Sequence, residues 1–409
     1  MDTAGDKQIP AGGAPPPEQH SGQELQAPAS TGAQAAAPLG SGEWRDRSDL
    51  TDAPYGLLHS LVAHGGKAVT AVQFDAAGQR VASAGADGTA AIWDPRTGQL
   101  LHRLAGHEGG LSDVAWSPDG RYLATAGDDH TVRVWDAASG ACCRILKDHS
   151  HHAVCCAWSS GGNLLASGSF DETVIVWDVR RGSPVRKIPG HADPVSGVAF
   201  GGEPGADIIA SCSFDGLTRA WQLPTGSCAA SLVDRHNNSP ALASLRFTPN
   251  GKFLLTVTMD SRLLLWEPLA GKIKKTYKGH LNRSTCLQPC FVVHDCLHDP
   301  PQKFVACGSE DRHVYLWDLN TKQIVGILRG RPSADAPGSG HCATVFAVDA
   351  AQQVGCMLIA SGGHAGDGTL KVWQHVQMPA AAAAANGAAA ANGAAAAAAA
   401  DGAAPMDAS

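Results

Sequence analysis

Seven aspartates (Asp87, Asp129, Asp171, Asp215, Asp260, Asp311 and Asp367) stand six residues before seven tryptophans (Trp93, Trp135, Trp177, Trp221, Trp266, Trp317 and Trp373). A histidine accompanies each set: His64, His107, His149, His191, His236, His280 and His341. Ser83, Thr125, Ser167, Ser211 and Thr256 lie ten residues before their tryptophans, and Cys307 takes that place in the sixth set. Asp, His and Ser brought together can activate a hydroxyl nucleophile. Here, however, the combination recurs seven times, each time with a tryptophan. A carboxylate only accepts, an indole only donates, and imidazole and hydroxyl do both. The expectation is therefore structural hydrogen bonding rather than catalysis, and no unrepeated acid–base pair points to an enzyme.

Two other groups carry metal-ligand chemistry: His149, His151, His152, Cys155 and Cys156, and Cys290, His294, Cys296 and His298. Neither has the spacing that zinc sites favour. Cys155 and Cys156 are adjacent in an apolar run, so in a strand they face opposite sides. The expectation is no metal and no cofactor, with a loop beside a buried strand at the first group.

The elements that position these residues follow from composition and period. The 409 residues carry 31 Lys+Arg against 38 Asp+Glu, a formal charge of −7. That balance argues against a general binder of nucleic-acid backbones, which needs a basic stripe. No apolar run has the character of a membrane span, and the N-terminus lacks the pattern of a secretory signal. Twelve cysteines then read as reduced thiols of the cytosol or nucleus. Charged residues are only 17%, and the 47 glycines help to bound short alternating apolar runs such as Thr-Val-Arg-Val-Trp (131–135), an all-β signature. Residues 1–54 are Pro/Ala/Gly-rich and expected to be disordered. Residues 378–409 are an Ala-rich low-complexity tail, and 331–340 reads as an insertion loop.

The tryptophans recur every 42 to 56 residues. A period near 40–45 with Gly-His and Trp-Asp is the signature of WD repeats, each a four-stranded blade of a β-propeller. Seven repeats over 55–377 predict a seven-bladed ring, with Tyr55–Val62 completing the last blade. The repeat family implies a relay: Asp orients His, His meets Ser or Thr, and the hydroxyl meets the indole. In the sixth blade Cys307 should weaken it.

Gly-Leu-Ser-Asp-Val-Ala-Trp (110–116), Ser-Gly-Ser-Phe-Asp-Glu (167–172), Asp-Pro-Val-Ser (193–196), Thr-Pro-Asn-Gly-Lys (248–252) and Lys-Thr-Tyr-Lys-Gly-His (275–280) carry a narrower likeness. Over about 55–375 the chain resembles the WD-repeat scaffold of COMPASS and trithorax-type histone lysine methyltransferase complexes. The resemblance implies a nuclear, non-catalytic scaffold that docks peptides, histone tails among them, as a monomer within a hetero-complex.

It also implies two sites. In the first, a peptide arginine enters the channel mouth between two phenylalanine rings. Here those places hold Val154 and Gln288, so both plates are missing. Around them Ser112, Asp128, Phe170, Ser196 and Cys286 match, and Phe214 replaces a tyrosine. Ala86 also matches and Thr70 replaces a serine, while His152, Ala243, Thr285 and His364 depart. A weakened arginine pocket is expected. The second is a cleft on the opposite rim for an acidic–hydrophobic partner peptide, at Asn250, Phe253, Leu265, Lys275, Phe291 and Val293. Lys275 is expected to be exposed, and the apolar members read equally as blade core. A different reading comes from Trp93-Asp94-Pro95-Arg96 and Trp177-Asp178-Val179-Arg180. These match the Trp-Asp-x-Arg box through which substrate receptors contact a cullin ligase adaptor, with Arg96 and Arg180 as the contacts.

Overall fold

Each blade is an antiparallel sheet whose strands are graded by burial from the channel outward. In the second blade, Leu111–Trp116, Tyr122–Gly127 and Thr131–Asp136 are almost wholly buried. The outermost strand, Cys142–Lys147, exposes every residue but Leu146. Alternation alone would leave one face of every strand polar. The inner strands are instead apolar on both faces because blades pack against both, which explains continuous runs such as Thr-Val-Ile-Val-Trp (173–177). The computed structural model describes residues 52–201, 208–234, 237–294, 302–329, 340–353 and 356–375. These form seven four-stranded sheets, an all-β seven-bladed propeller. Of the extension expected at 1–54, residues 1–51 lie outside the described residues, as do the tail 378–409 and residues 331–339 of the insertion expected at 331–340.

The ring closes as the sequence implies. Tyr55–Leu61 pairs antiparallel with Leu370–His375 and so supplies the outer strand of the seventh blade. Just before it, the Ala53 N–H donates to the Ile327 carbonyl at 3.1 Å, and Asp52 forms a parallel bridge with Ile327. Residues 52 and 53, expected to belong to a disordered extension, are thus paired with the outer edge of the sixth blade just before the chain joins the seventh.

Two register shifts recur, and the second positions residues of the channel. The first falls between the tryptophan and the residue before it, as at Val176/Trp177, in all seven blades. The second falls near the start of the inner strand in every blade but the sixth. A bulge turns the extra residue off the ladder. The residues skipped are Thr70, Ser112, Val154, Ser196, Ala243 and Phe346.

Candidate peptide-docking sites

The repeated Asp/His/Ser/Trp sets become closed hydrogen-bond chains. In the third blade the Trp177 indole donates to Ser167 Oγ at 2.8 Å, Ser167 meets His149 Nε2 at 2.7 Å, and His149 Nδ1 meets Asp171 at 3.0 Å. The donor inventory fixes two of these directions, indole to hydroxyl and Nδ1–H to carboxylate, while the hydroxyl and Nε2 can each donate or accept. The first, second and fourth blades repeat this with Ser83, Thr125 and Ser211. The seventh does so with Ser361, which stands twelve residues before Trp373 and so escapes a search at ten. Burial alone would raise Asp129 and Asp171, but hydrogen bonds from His107 and His149 hold both well below the usual carboxylate range. His64 and His341 are depressed by burial, against the opposing pull of Asp87 and Asp367.

Two blades depart. His236 lies outside the described residues. In its blade Trp266 still donates to Thr256 at 3.0 Å, while Asp260 takes Arg262 at 2.7 Å. The sixth blade is rewired rather than merely weakened, which corrects the expectation for Cys307. The Trp317 indole donates to the Lys278 carbonyl at 2.9 Å, and Asp311 accepts from the Tyr315 hydroxyl at 2.6 Å. With no hydroxyl at Cys307, both ends of the chain find other partners.

The eight residues assigned to the channel mouth (Ser112, Asp128, Val154, Phe170, Ser196, Phe214, Cys286 and Gln288) line one cavity of about 320 Å³. All six bulged residues line it, so the bulges aim one side chain per blade into the channel. A second ring comes from residues just before the turn aspartates, where Ala86, Asp128, Phe170 and Phe214 also line the cavity. Backbone bonds fix that ring, such as Phe170 N–H to the His152 carbonyl at 3.0 Å. Burial pushes the Asp128 carboxyl up to about 6, against the Ser112 hydroxyl that donates to it at 3.4 Å.

Val154 and Gln288 do line this mouth, yet the mouth is not without rings. Phe346 occupies in the seventh blade the bulged place that Val154 occupies in the third, and its ring lies 4.9 Å from that of His364. The sequence reading missed Phe346. The second residue of each inner strand would have revealed it, but the long seventh repeat obscures that register. Gln288 does something the reading did not foresee: its amide donates to Asp113 Oδ1 at 3.1 Å, across the channel from the sixth blade to the second. With Ser196 and Ser244 it also lines a second, polar cavity of about 350 Å³, which holds Arg246. Burial pushes Asp113 up to about 6, against hydrogen bonds from the Cys156 and Val114 N–H groups. Arg246 is paired with Asp349 at 2.7 Å.

The second proposed cleft is placed differently from expectation. Phe253, Leu265 and Phe291 join one apolar cluster between the fifth and sixth blades, with Leu265 only 4% exposed. Leu265 is therefore blade core. Val293, two residues beyond Phe291 on the same strand, is half-buried. Lys275 is half-buried rather than exposed: its ammonium donates to the Leu319 carbonyl at 2.7 Å and to Asn320 at 3.3 Å. The carbonyls at the end of the next blade's strand leave a cation there committed. Asn250 is exposed and caps its own turn, accepting from Thr248 at 2.6 Å.

Arg96 and Arg180 sit in the turns before the outer strands of the first and third blades, with exposed side chains. Antiparallel order puts these turns on the face opposite the channel mouth. Among the His and Cys residues weighed as metal ligands, His149 is committed to its relay. Cys155 and Cys156 lie in different blade cores, as their adjacency requires. Cys290 is buried, while Cys296 and His298 lie outside the described residues. Among the described residues no group of three or more His, Cys, Asp or Glu is placed to hold a metal ion.

Residues 61–374 match the family model of the WDR5 beta-propeller domain, and the chain belongs to that family. Particular relatives are more distant. It is 26% identical over 131 residues to COMPASS component SWD3 of Saccharomyces cerevisiae, covering 31% of this chain and 42% of that protein. It is 28% identical over 340 residues to the WD repeat-containing protein WDS homolog of Arabidopsis thaliana, covering 78% and 58%. It is also 26% identical over 199 residues to nuclear distribution protein nudF of Aspergillus niger, covering 46% and 42%. The matched part is thus less than two thirds of each of these relatives.

Proposed function

We propose that the protein is a non-catalytic peptide-docking scaffold of a nuclear histone lysine methyltransferase complex. The observation that carries this reading is the channel mouth, where bulges from six blades direct side chains into one largely apolar cavity beside a single carboxylate, Asp128. Apolar walls with a few convergent polar groups are the composition of a side-chain pocket. Similarity to the COMPASS component supports the choice of complex. The partner-peptide cleft is the weaker half of the proposal, because a docking acid must first draw Lys275 away from Leu319.

The same mouth is a poor clamp for arginine. Each cation–π face contributes about 0.5–2 kcal/mol, so replacing two by Val154 and Gln288 weakens arginine peptides about 5-fold to 1000-fold. Fluorescence anisotropy checks this, and micromolar or tighter binding of an arginine-motif peptide to the unaltered chain overturns it. The exposed Arg96 and Arg180 keep one alternative in play, a substrate receptor for a cullin-type ligase. Affinity capture of the native protein with mass spectrometry separates the two. Methyltransferase subunits are the expected catch. A cullin adaptor whose capture is lost in Arg96→Ala with Arg180→Ala favours the alternative.

A further inference from the structure

Backbone donors along the channel are capped in some blades and bare in others. In the first blade the sixth residue of the inner strand is Phe74. Its N–H donates at 2.8 Å to Asp349 Oδ2, from the fifth residue of the seventh blade's inner strand. In the second blade the Trp116 N–H donates at 2.6 Å to Gln73 Oε1, from the fifth residue of the first. The fifth side chain of one inner strand thus caps the sixth N–H of the next. Two residues earlier the same device recurs, where Asp113 takes the Cys156 N–H at 2.9 Å.

The caps then stop. The fifth residues of the second, third and fourth inner strands are Ala115, Ala157 and Ala199, whose side chains cannot accept a hydrogen bond. Trp158, Phe200 and Phe247 lie opposite Leu165, Ile209 and Leu254, the ladder place that Trp116 has opposite Leu123. Alternation along an antiparallel pair therefore turns their N–H groups to the channel too. In the earlier row Cys155 and Gly197 stand where Asp113 stands, and the N–H groups of Val198 and Leu245 face the channel in the same way. Among the described residues none of these N–H groups meets a protein acceptor outside its own sheet. All five of their residues line the polar cavity of about 350 Å³. A backbone donor withdrawn from water needs an acceptor.

Arg246 adds the charge. It is the one cationic residue among those lining this cavity. Part of its guanidinium is committed, because Nη1 donates to Asp349 at 2.7 Å and to the Pro289 carbonyl at 3.3 Å. Asp349 spends its other oxygen on Phe74, so the pair is held from both sides. Nε and Nη2 have no such partner among the described residues. The side chain springs from an inner strand yet keeps 32% exposure, and the cavity is what it faces. The Nε–Nη2 edge of a guanidinium has the fork geometry that matches a carboxylate.

We propose that this cavity binds a small organic acid through a single carboxylate, taken by the Nε–Nη2 edge of Arg246 and by backbone N–H groups of the uncapped blades. The donor set limits the ligand's charge. Backbone N–H groups supply only partial positive charge, and Arg246 is already shared with Asp349. Asp113 lines the same cavity, its carboxylate engaged by Val114, Cys156 and Gln288. Such a set offsets one negative charge, whereas a phosphate dianion or a polyphosphate brings more repulsion from Asp113 than one shared guanidinium can balance. Size agrees, since about 350 Å³ falls at the small end of ligand pockets. The assignment does not depend on what docks at the channel mouth, which has only Ser196, Ser244 and Gln288 in common with this cavity.

Ligand-observed NMR titration of the full chain at neutral pH tests it, with butyrate, lactate and benzoate, the primary amide of each, and inorganic phosphate. At least one acid should bind about 10-fold or more tighter than its own amide and than phosphate. Arg246→Lys keeps a cation beside Asp349 but loses the fork, and should weaken that acid about 10-fold. Ala157→Gln with Ala199→Gln supplies caps of the kind Gln73 provides and leaves Arg246 in place. It should weaken the acid by a similar factor, and it still tests the donor row if Arg246→Lys does not fold. Equal binding of acids and amides, tighter binding of phosphate, or no acid bound at millimolar concentration each overturns the assignment. So does a bound acid whose affinity neither variant changes.

Discussion

Asp171 shows how much one residue holds. Its carboxylate accepts from His149 Nδ1, the Ser150 N–H, the Thr173 N–H and the Thr173 hydroxyl. Asp171→Ala therefore strands several donors in a half-buried turn. A loss of about 1–3 kcal/mol is expected, read as a lower chemical-denaturation midpoint than the parent's. An unchanged midpoint would show that the turn does not depend on this acceptor. The aspartates and tryptophans could be read from the sequence because each relay repeats with fixed spacing. Ser361 could not, since its spacing is twelve, nor could the Tyr315 substitute, since nothing in Cys307 indicates which neighbour will cap Asp311.

At the scale of elements, the strand Tyr55–Leu61 is the critical one. It contributes six paired residues to the seventh blade, and its removal bares the edge of Leu370–His375. An exposed edge is a template for association. A chain beginning at Val62 should melt lower by roughly 10 °C and elute partly as higher-mass species, checked by calorimetry and light scattering. An unaltered monomeric profile would mean that the closure adds little. Repeat length and short apolar runs ending in tryptophan made the blades and this closure legible. The site was legible only in part. Ser112, Asp128, Phe170 and Phe214 fell where expected because their blades follow the common length. Phe346 was missed because the seventh repeat is long, and the bonds of Gln288 and Lys275 depend on groups 175 and 44 residues away, which no local pattern encodes.

Across the whole molecule, stability against pH reflects opposed groups. His64 and His341 have lowered affinities for protons, so below about 6.5 the unfolded chain takes protons first and stability falls with pH. Asp113 and Asp128, pushed up to about 6, take protons in the folded state first, so between about 6 and 4 they add stability as pH falls. Asp128→Asn removes part of that offset. Its melting temperature should therefore drop more steeply than the parent's between pH 7 and pH 5, measured by scanning calorimetry. Parallel slopes would place the Asp128 carboxyl in ordinary solvent.

The pairing of Tyr55 with His375 also sets a schedule. The first of the described strands to be made must wait for the last of them before it has its partner. At about 5–20 residues per second, the roughly three hundred intervening residues take on the order of 15–60 seconds to make. Through that interval the nascent chain carries an unmatched strand, and the other blades can assemble only as an open arc. Newly made protein is therefore exposed to chaperones and to mispairing with neighbouring chains on the same message until its final blade emerges.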